Sequence, residues 1–291
     1  MSADPVFLLI MGWISLLRRY PVKSMLGEDV EASEVTGRGL TGDRGLALVH
    51  RETGKVASAK NPRIWRDLLR LAATALEPTA LERTALAGAV RITFPDGKTA
   101  CSTDAGIDDL LSDFLQQPVT LTATPPQAAS LERAVPEEVL RAGVTAEVEV
   151  RHGQLREGTF FDFAPLHLLT TSTLDRIAAL HPQGTADLVR YRPNIVIRTE
   201  AEGFTENDWL DRDLSIGDDL VVRVVVRTPR CAIPTLAHGD LPRDSAALRV
   251  LADHNRVPPV EGSTGTEPCA GVYAQVLRPG RIGQGDYVRY A

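Results

Sequence analysis

The sharpest pattern in the chain is a strict alternation towards its carboxyl end. From Leu220 to Arg227, Leu220, Val222, Val224 and Val226 fall on one side, and Val221, Arg223, Val225 and Arg227 on the other. This two-residue period predicts a β-strand with one face on a core, ending at Pro229, which has no backbone donor to give a sheet. Elsewhere the apolar runs are short. Trp13–Leu17 predicts a strand ended by Tyr20-Pro21, with the apolar residues from Val6 as a dispensable extension and Met11 as a candidate true start. Val30–Val35, Leu46–His50, Lys55–Ala59 and Val90–Phe94 predict further strands, the last closing a pair over Pro95-Asp96-Gly97. Asp104–Leu115 has the helical period, with Ile107, Leu110, Leu111, Phe114 and Leu115 on one side, a cap at Thr103 or Asp104 and a stop at Pro118. Thr122–Ala134, with two consecutive prolines and mostly small or polar side chains, predicts a linker. Beyond it, an apolar strand from Phe160 runs into a helix capped by Thr171 or Ser172 that continues through Leu174, Ile177 and Leu180, and Arg192 opens another strand through Ile197.

Many short strands and few helices predict a mainly β, α+β protein. At 291 residues it forms one large or two modest domains. The 19 prolines and 23 glycines fit short elements joined by turns. A formal charge of -6, with no basic run longer than Arg18-Arg19, argues against a nucleic-acid partner and leaves room for a small anion held by a few placed arginines. The apolar run Val6–Leu17 is too short to span a bilayer and lacks a signal peptide's basic start and small-residue cleavage site, so membrane association is not expected. Cys101, Cys231 and Cys269 form no CxxC, zinc or iron-sulfur spacing, which predicts a reducing, cytoplasmic setting.

Three segments carry candidate chemistry. Gly37–Gly42 spells GxGxxG, but a dinucleotide site needs a helix to follow and the pattern here predicts strand, turn and strand, so no NAD site is expected. The glycines instead let the backbone turn tightly and leave Asp43 and Arg44 at a loop end. Thr171 and Ser172 open a helix, which suits a phosphate or ordinary capping equally. Cys231 lies just past the alternating strand between Pro229 and Pro234, with Arg230 beside it and Arg227 four residues back. Cationic neighbours favour the thiolate, the form that binds metal. A free cysteine is also commonly a small buried hydrophobe, and the segment fits both readings.

Six motifs then occur in one order: YPVKS at Tyr20–Ser24, GLTGDR at Gly39–Arg44, HLLTTSTL at His167–Leu174, RPNIVI at Arg192–Ile197, RC at Arg230-Cys231, and GVYAQVLRPGRIGQGDYV at Gly271–Val288. Together they resemble the MOSC superfamily, in the branch with an amino-terminal β-domain to which the mitochondrial amidoxime-reducing components and their bacterial relatives belong. The resemblance implies a β-barrel MOSC domain over 135–291 and a smaller β-rich domain over 11–121, joined by the linker 122–134, with strands near 13–44 completing the barrel. It further implies a molybdenum cofactor, a pyranopterin dithiolene with a phosphate, whose metal takes a thiolate from Cys231. Lys23, Ser24, Arg44, Thr171, Ser172 and Arg192 match the family's pterin and phosphate contacts, with Arg230 and Tyr273 as further cofactor neighbours. One departure is Pro229, where the amidoxime reducers carry serine.

The implied activity is reduction of a small N-hydroxylated or N-oxide substrate, with electrons from a separate flavoprotein, ferredoxin or heme protein. The alternatives are sulfur transfer through a Cys231 persulfide and a cofactor carrier without turnover. No pyridoxal phosphate or iron-sulfur cluster is expected in this chain.

Overall fold

A computed structural model describes residues 10–76 and 88–291. The expected extension from Val6 lies outside the described residues as far as residue 9. The alternating segment forms the strand Leu220–Pro229, and Leu220, Val222, Val224 and Val226 are all buried. That strand is one stave of a closed seven-strand barrel. Around it the order is Leu166–Thr170, Ile195–Arg198, Ile10–Arg19, Tyr287–Tyr290, Asp213–Ile216, Leu220–Pro229 and Glu267–Arg278, which returns to Leu166–Thr170. Only the first two neighbours run parallel. Ile14, Leu168, Ile197, Val222, Val224 and Val272 meet in its core, so the fold is mainly β with short helices.

A second core, from Val22 to Val119, packs Trp65 and Leu68 against the sheet Ala72–Ala75, Val90–Thr93, Thr99–Cys101 and against the helix Ile107–Leu115. The first strand nevertheless belongs to the barrel, where it sits between Ile195–Arg198 and Tyr287–Tyr290.

Several boundaries differ from the sequence reading. The first strand extends to Arg19 because Arg19 Nε donates to Glu28 (2.7 Å) on the adjacent strand Glu28–Val30. Val30–Val35 is broken at Glu31: Glu28–Val30 pairs with the first strand, whereas Ala32–Thr36 pairs with Gly280–Gly283. Lys55–Ala59 makes a single bridge, Val56 to Val49, instead of a strand. The helix expected from Asp104 starts at Ile107 behind a left-handed Gly106, because the Asp104 carboxylate accepts from the Cys101 amide (2.7 Å) and so closes a turn. It ends at Leu115, short of Pro118. Within the stretch 122–134, Ser130–Ala134 is a strand paired with Val150–Gln154. The strand expected from Phe160 begins only at Leu166. The following helix, Thr171–Leu180, is capped by Thr170, whose hydroxyl accepts from the Thr173 amide, and not by Thr171 or Ser172.

Candidate functional site

A cavity of about 370 Å³ opens where the barrel end faces the second core. Cys231 lies in its wall, buried, in the loop that leaves Pro229 and turns into the short helix Ile233–Thr235. The loop is pinned where the Arg230 amide donates to the Pro268 carbonyl (2.8 Å) and the Thr235 hydroxyl to the Ala232 carbonyl (2.7 Å). Six cations line the same cavity: Lys23, Arg44, Lys60, Arg133, Arg192 and Arg230, against the single carboxylate of Asp162. In a chain of net charge -6, that concentration gives the cavity a positive lining suited to an anion.

Of the residues singled out in the sequence, Lys23, Ser24, Arg44, Arg192, Arg230, Cys231 and Tyr273 all line this cavity. Arg192 is buried, with its guanidinium 4.2 Å from the centre of the Tyr20 ring and its Nη1 without a hydrogen-bond partner. Burial lowers its pKa to about 10, only partly opposed by Tyr20. Arg230 gives one Nη to the Tyr191 carbonyl (2.7 Å), while its buried Nε has no partner. Arg44 pairs with Asp43 and reaches Asn194 Oδ1 at 3.3 Å. Burial opposes its charge most, but Asp43, Tyr20 and Tyr273 together outweigh this and raise its pKa. Ser24 accepts from the Ala59 amide (3.2 Å) and fixes the facing loop.

Lys23 Nζ donates to the Phe160 carbonyl and to Asp162, each at 2.8 Å. Burial brings it down to about 8, against the pull of Asp162. Burial would raise Asp162, but Lys23 and Lys60 beside it hold its carboxyl well below the usual range.

Two expectations fall elsewhere, and the tight-turn reading of GxGxxG holds. Thr171 and Ser172 do not line the cavity. Their end of the helix is organised by Glu206, a buried carboxylate that accepts from the hydroxyls of Thr170 (2.6 Å) and Thr173 (2.8 Å) and from the Gly271 amide (2.9 Å). The Ser172 hydroxyl lies 2.9 Å from that of Thr170 and 2.8 Å from that of Thr205. Arg227 turns away from Cys231 and donates to the carbonyls of Asn207 (2.8 Å) and Pro258 (2.9 Å). The GxGxxG loop sits in a hairpin, Ala32–Thr36 with Gly39–Leu40, and the next element is the strand Ala47–His50.

Lys60, Arg133, Asp162 and His167 line the cavity without having been singled out. Asp162 had a readable signal, a carboxylate inside the apolar run Phe160–Leu169. His167 is buried between the carbonyls of Arg192 (3.2 Å) and Ala270 (3.3 Å), with the Tyr273 ring 5.3 Å away. Burial, reinforced by Arg230, pushes it down to about 3, so it is neutral. Among the described residues no group of three or more His, Cys, Asp or Glu is arranged to hold a metal ion. No helix among them is long and apolar enough to cross a membrane.

Two family models match, the MOSC domain over residues 156–289 and the MOSC N-terminal beta barrel domain over residues 11–118. The chain belongs to the MOSC superfamily, in the form that carries the N-terminal domain. The MOSC domain is associated with molybdenum-cofactor function in general. Among solved structures, the chain is similar to the YUAD protein from Bacillus subtilis, at 8% identity and a TM-score of 0.41, over 96% of this chain and 94% of that one. It is also similar to YiiM from Geobacillus stearothermophilus, at 16% identity and a TM-score of 0.32, over 57% of this chain and 74% of that one. No curated protein matches the chain.

Proposed function

We propose that the cavity binds a molybdenum cofactor with Cys231 as the protein's ligand to the metal, and that the loaded protein reduces small N-hydroxylated or N-oxide compounds with electrons from a separate redox protein. The observation that carries this reading is a pinned thiol sharing one wall with two buried guanidinium groups that each leave a nitrogen unpartnered. Such groups cost free energy unless a ligand accepts from them, and a phosphate or an anionic pterin does so. When bound, the cofactor supplies two-electron redox chemistry at its metal.

The chain's own residues bind, orient and exclude water. Arg44, Arg192 and Arg230 hold the anionic parts, and the loop from Pro229 to Pro234 fixes the direction of the thiol. Tyr273 and neutral His167 give a wall without charge. Lys23 Nζ, steadied by Asp162, holds a proton beside the site.

The test is metal and pterin analysis of protein made in a host that synthesises the cofactor, together with reduction of benzamidoxime by reduced viologen. Cys231→Ala should fold and lose both molybdenum and turnover. Cys101→Ala and Cys269→Ala should keep them, since the Cys269 thiol is pushed up to about 12 by burial and Cys101 lies outside the cavity. Wild-type turnover in Cys231→Ala would remove the ligand assignment. Turnover-free, metal-free protein carrying a persulfide would favour sulfur transfer.

A further inference from the structure

We infer that the cavity contains a second anion subsite, formed by Arg133 and Lys60, and that the substrate is an N-oxygenated compound carrying an anionic group; this rests on the reading above. Arg133 lies on the strand Ser130–Ala134, where the two-residue period turns Leu131 and Arg133 to the cavity. Glu132, between them, points the other way and is taken by Lys55 Nζ (2.6 Å) and Asn61 Nδ2 (2.9 Å). The nearest carboxylate in sequence is thus unable to neutralise Arg133.

Across the ladder Arg133 faces Arg151, and like charges directly opposite are unfavourable. Arg151 is satisfied by Glu149 (2.9 Å), whereas among the described residues Arg133 makes no ion pair. The Ala134 amide donates to the Lys60 carbonyl (2.9 Å), which ties Lys60 to this strand. Lys60 Nζ shares Asp162 with Lys23, at 2.9 and 2.8 Å. The cavity lining therefore holds two lysines on one carboxylate and the unpaired Arg133, in addition to the arginines assigned to the cofactor.

Two of the lining residues, Phe163 and Val260, are apolar and yet 52% and 39% exposed. An apolar lip beside Arg133, which makes no ion pair among the described residues, and Lys60, which shares its one carboxylate with Lys23, fits an organic anion, with its apolar body on Phe163 and Val260 and its acid on Arg133 and Lys60. A bare inorganic anion would leave the lip unused.

The test compares 4-carboxybenzamidoxime with its neutral amide, 4-carbamoylbenzamidoxime, on the cofactor-loaded protein. It uses calorimetric binding and kcat/KM with reduced viologen. The acid should bind about tenfold or more tighter and show the higher kcat/KM, as expected of a charge-assisted contact. Arg133→Gln and Lys60→Gln should each bring the ratio towards one, and Arg133→Lys should keep most of it. Equal binding of acid and amide by the wild type, or an undiminished ratio in both Gln variants, would overturn the subsite. So would loss of pterin from Arg133→Gln, which would put the cofactor's phosphate on this wall. If neither compound is turned over but the acid still binds better and Arg133→Gln abolishes the preference, the subsite stands and the reductase reading falls.

Discussion

Ser24, Arg44 and Arg192 share a backbone feature that their motifs do not announce: each has a positive φ, of 64°, 48° and 58°. For residues with a Cβ this region costs on the order of 1–2 kcal/mol each, and such strain gathers where a structure holds groups for a task. Arg192 adds a buried charge with an unpartnered nitrogen. Arg192→Ala should therefore lower cofactor affinity about tenfold or more while leaving the apoprotein as stable as before or more so. Pterin fluorescence and thermal melting check the two halves, and a large fall in apoprotein melting with full pterin content would contradict both.

Lys23 makes the matching pH prediction. Its folded pKa of about 8 lies below the ordinary lysine value of 10.5. Between those two values the unfolded chain binds more protons than the folded one, so stability rises with pH across that window, and below it the buried charge lowers stability by a constant amount. Anion binding has the opposite dependence, because it needs the charged lysine. Phosphate affinity at the cavity should weaken as pH rises through about 8, and Lys23→Met should remove that inflection.

The motif-borne residues were legible because their chemistry is local to a short word such as YPVKS or RC. Lys60 and Arg133 were not. Their role comes from the meeting of the loop before Asn61 with a strand more than seventy residues on, which no local pattern encodes. The hydroxyls of the Thr171 segment failed for the converse reason, since their partner, Glu206, lies about 35 residues further along.

At the scale of elements, alternation identified Leu220–Pro229 but could not name its neighbours. The decisive one is Glu267–Arg278, which pairs with Leu220–Pro229 and also with Leu166–Thr170, and so closes the barrel. At Gly271 the two contacts become too close for any side chain. Its φ is +77°, and a Cβ would lie 2.3 Å from His167 Nε2 and 2.6 Å from the Leu168 carbonyl oxygen. Gly271→Ala should cost about 2–5 kcal/mol, from the left-handed backbone together with the overlap, and should displace His167 from the cavity wall. A denaturant midpoint equal to wild type would mean that the closure is looser than this geometry. Helix starts were misplaced where a side chain capped a turn instead of a helix, as Asp104 does. The helical period itself survived, because Ile107, Leu111 and Leu115 still face the core.

For the whole molecule, the two matched segments are interleaved: the N-terminal segment lends its first strand to the barrel, and the cavity forms where the second core meets the barrel end. The proposed reductase would need an electron source, and donors that use nicotinamide or iron-sulfur centres have recognisable seats. The GxGxxG at Gly37–Gly42 is spent on a hairpin, with Gly39 and Gly42 at φ of 84° and 82°, and the next element is a strand, so no helix amino terminus is offered to a pyrophosphate. Cys101 lies apart from Cys231 and Cys269, which sit at the paired ends of two barrel strands, and among the described residues no group of three or more His, Cys, Asp or Glu is arranged to hold a metal ion. Mixing the molybdenum-loaded protein with NADH or NADPH and benzamidoxime, with no second protein present, should therefore give no turnover, whereas reduced viologen alone should support it. Steady oxidation of the nicotinamide in that mixture would require a flavin or dinucleotide seat in this chain and would refute the need for a separate donor. Failure with viologen as well, in protein of full metal content, would instead point to a carrier.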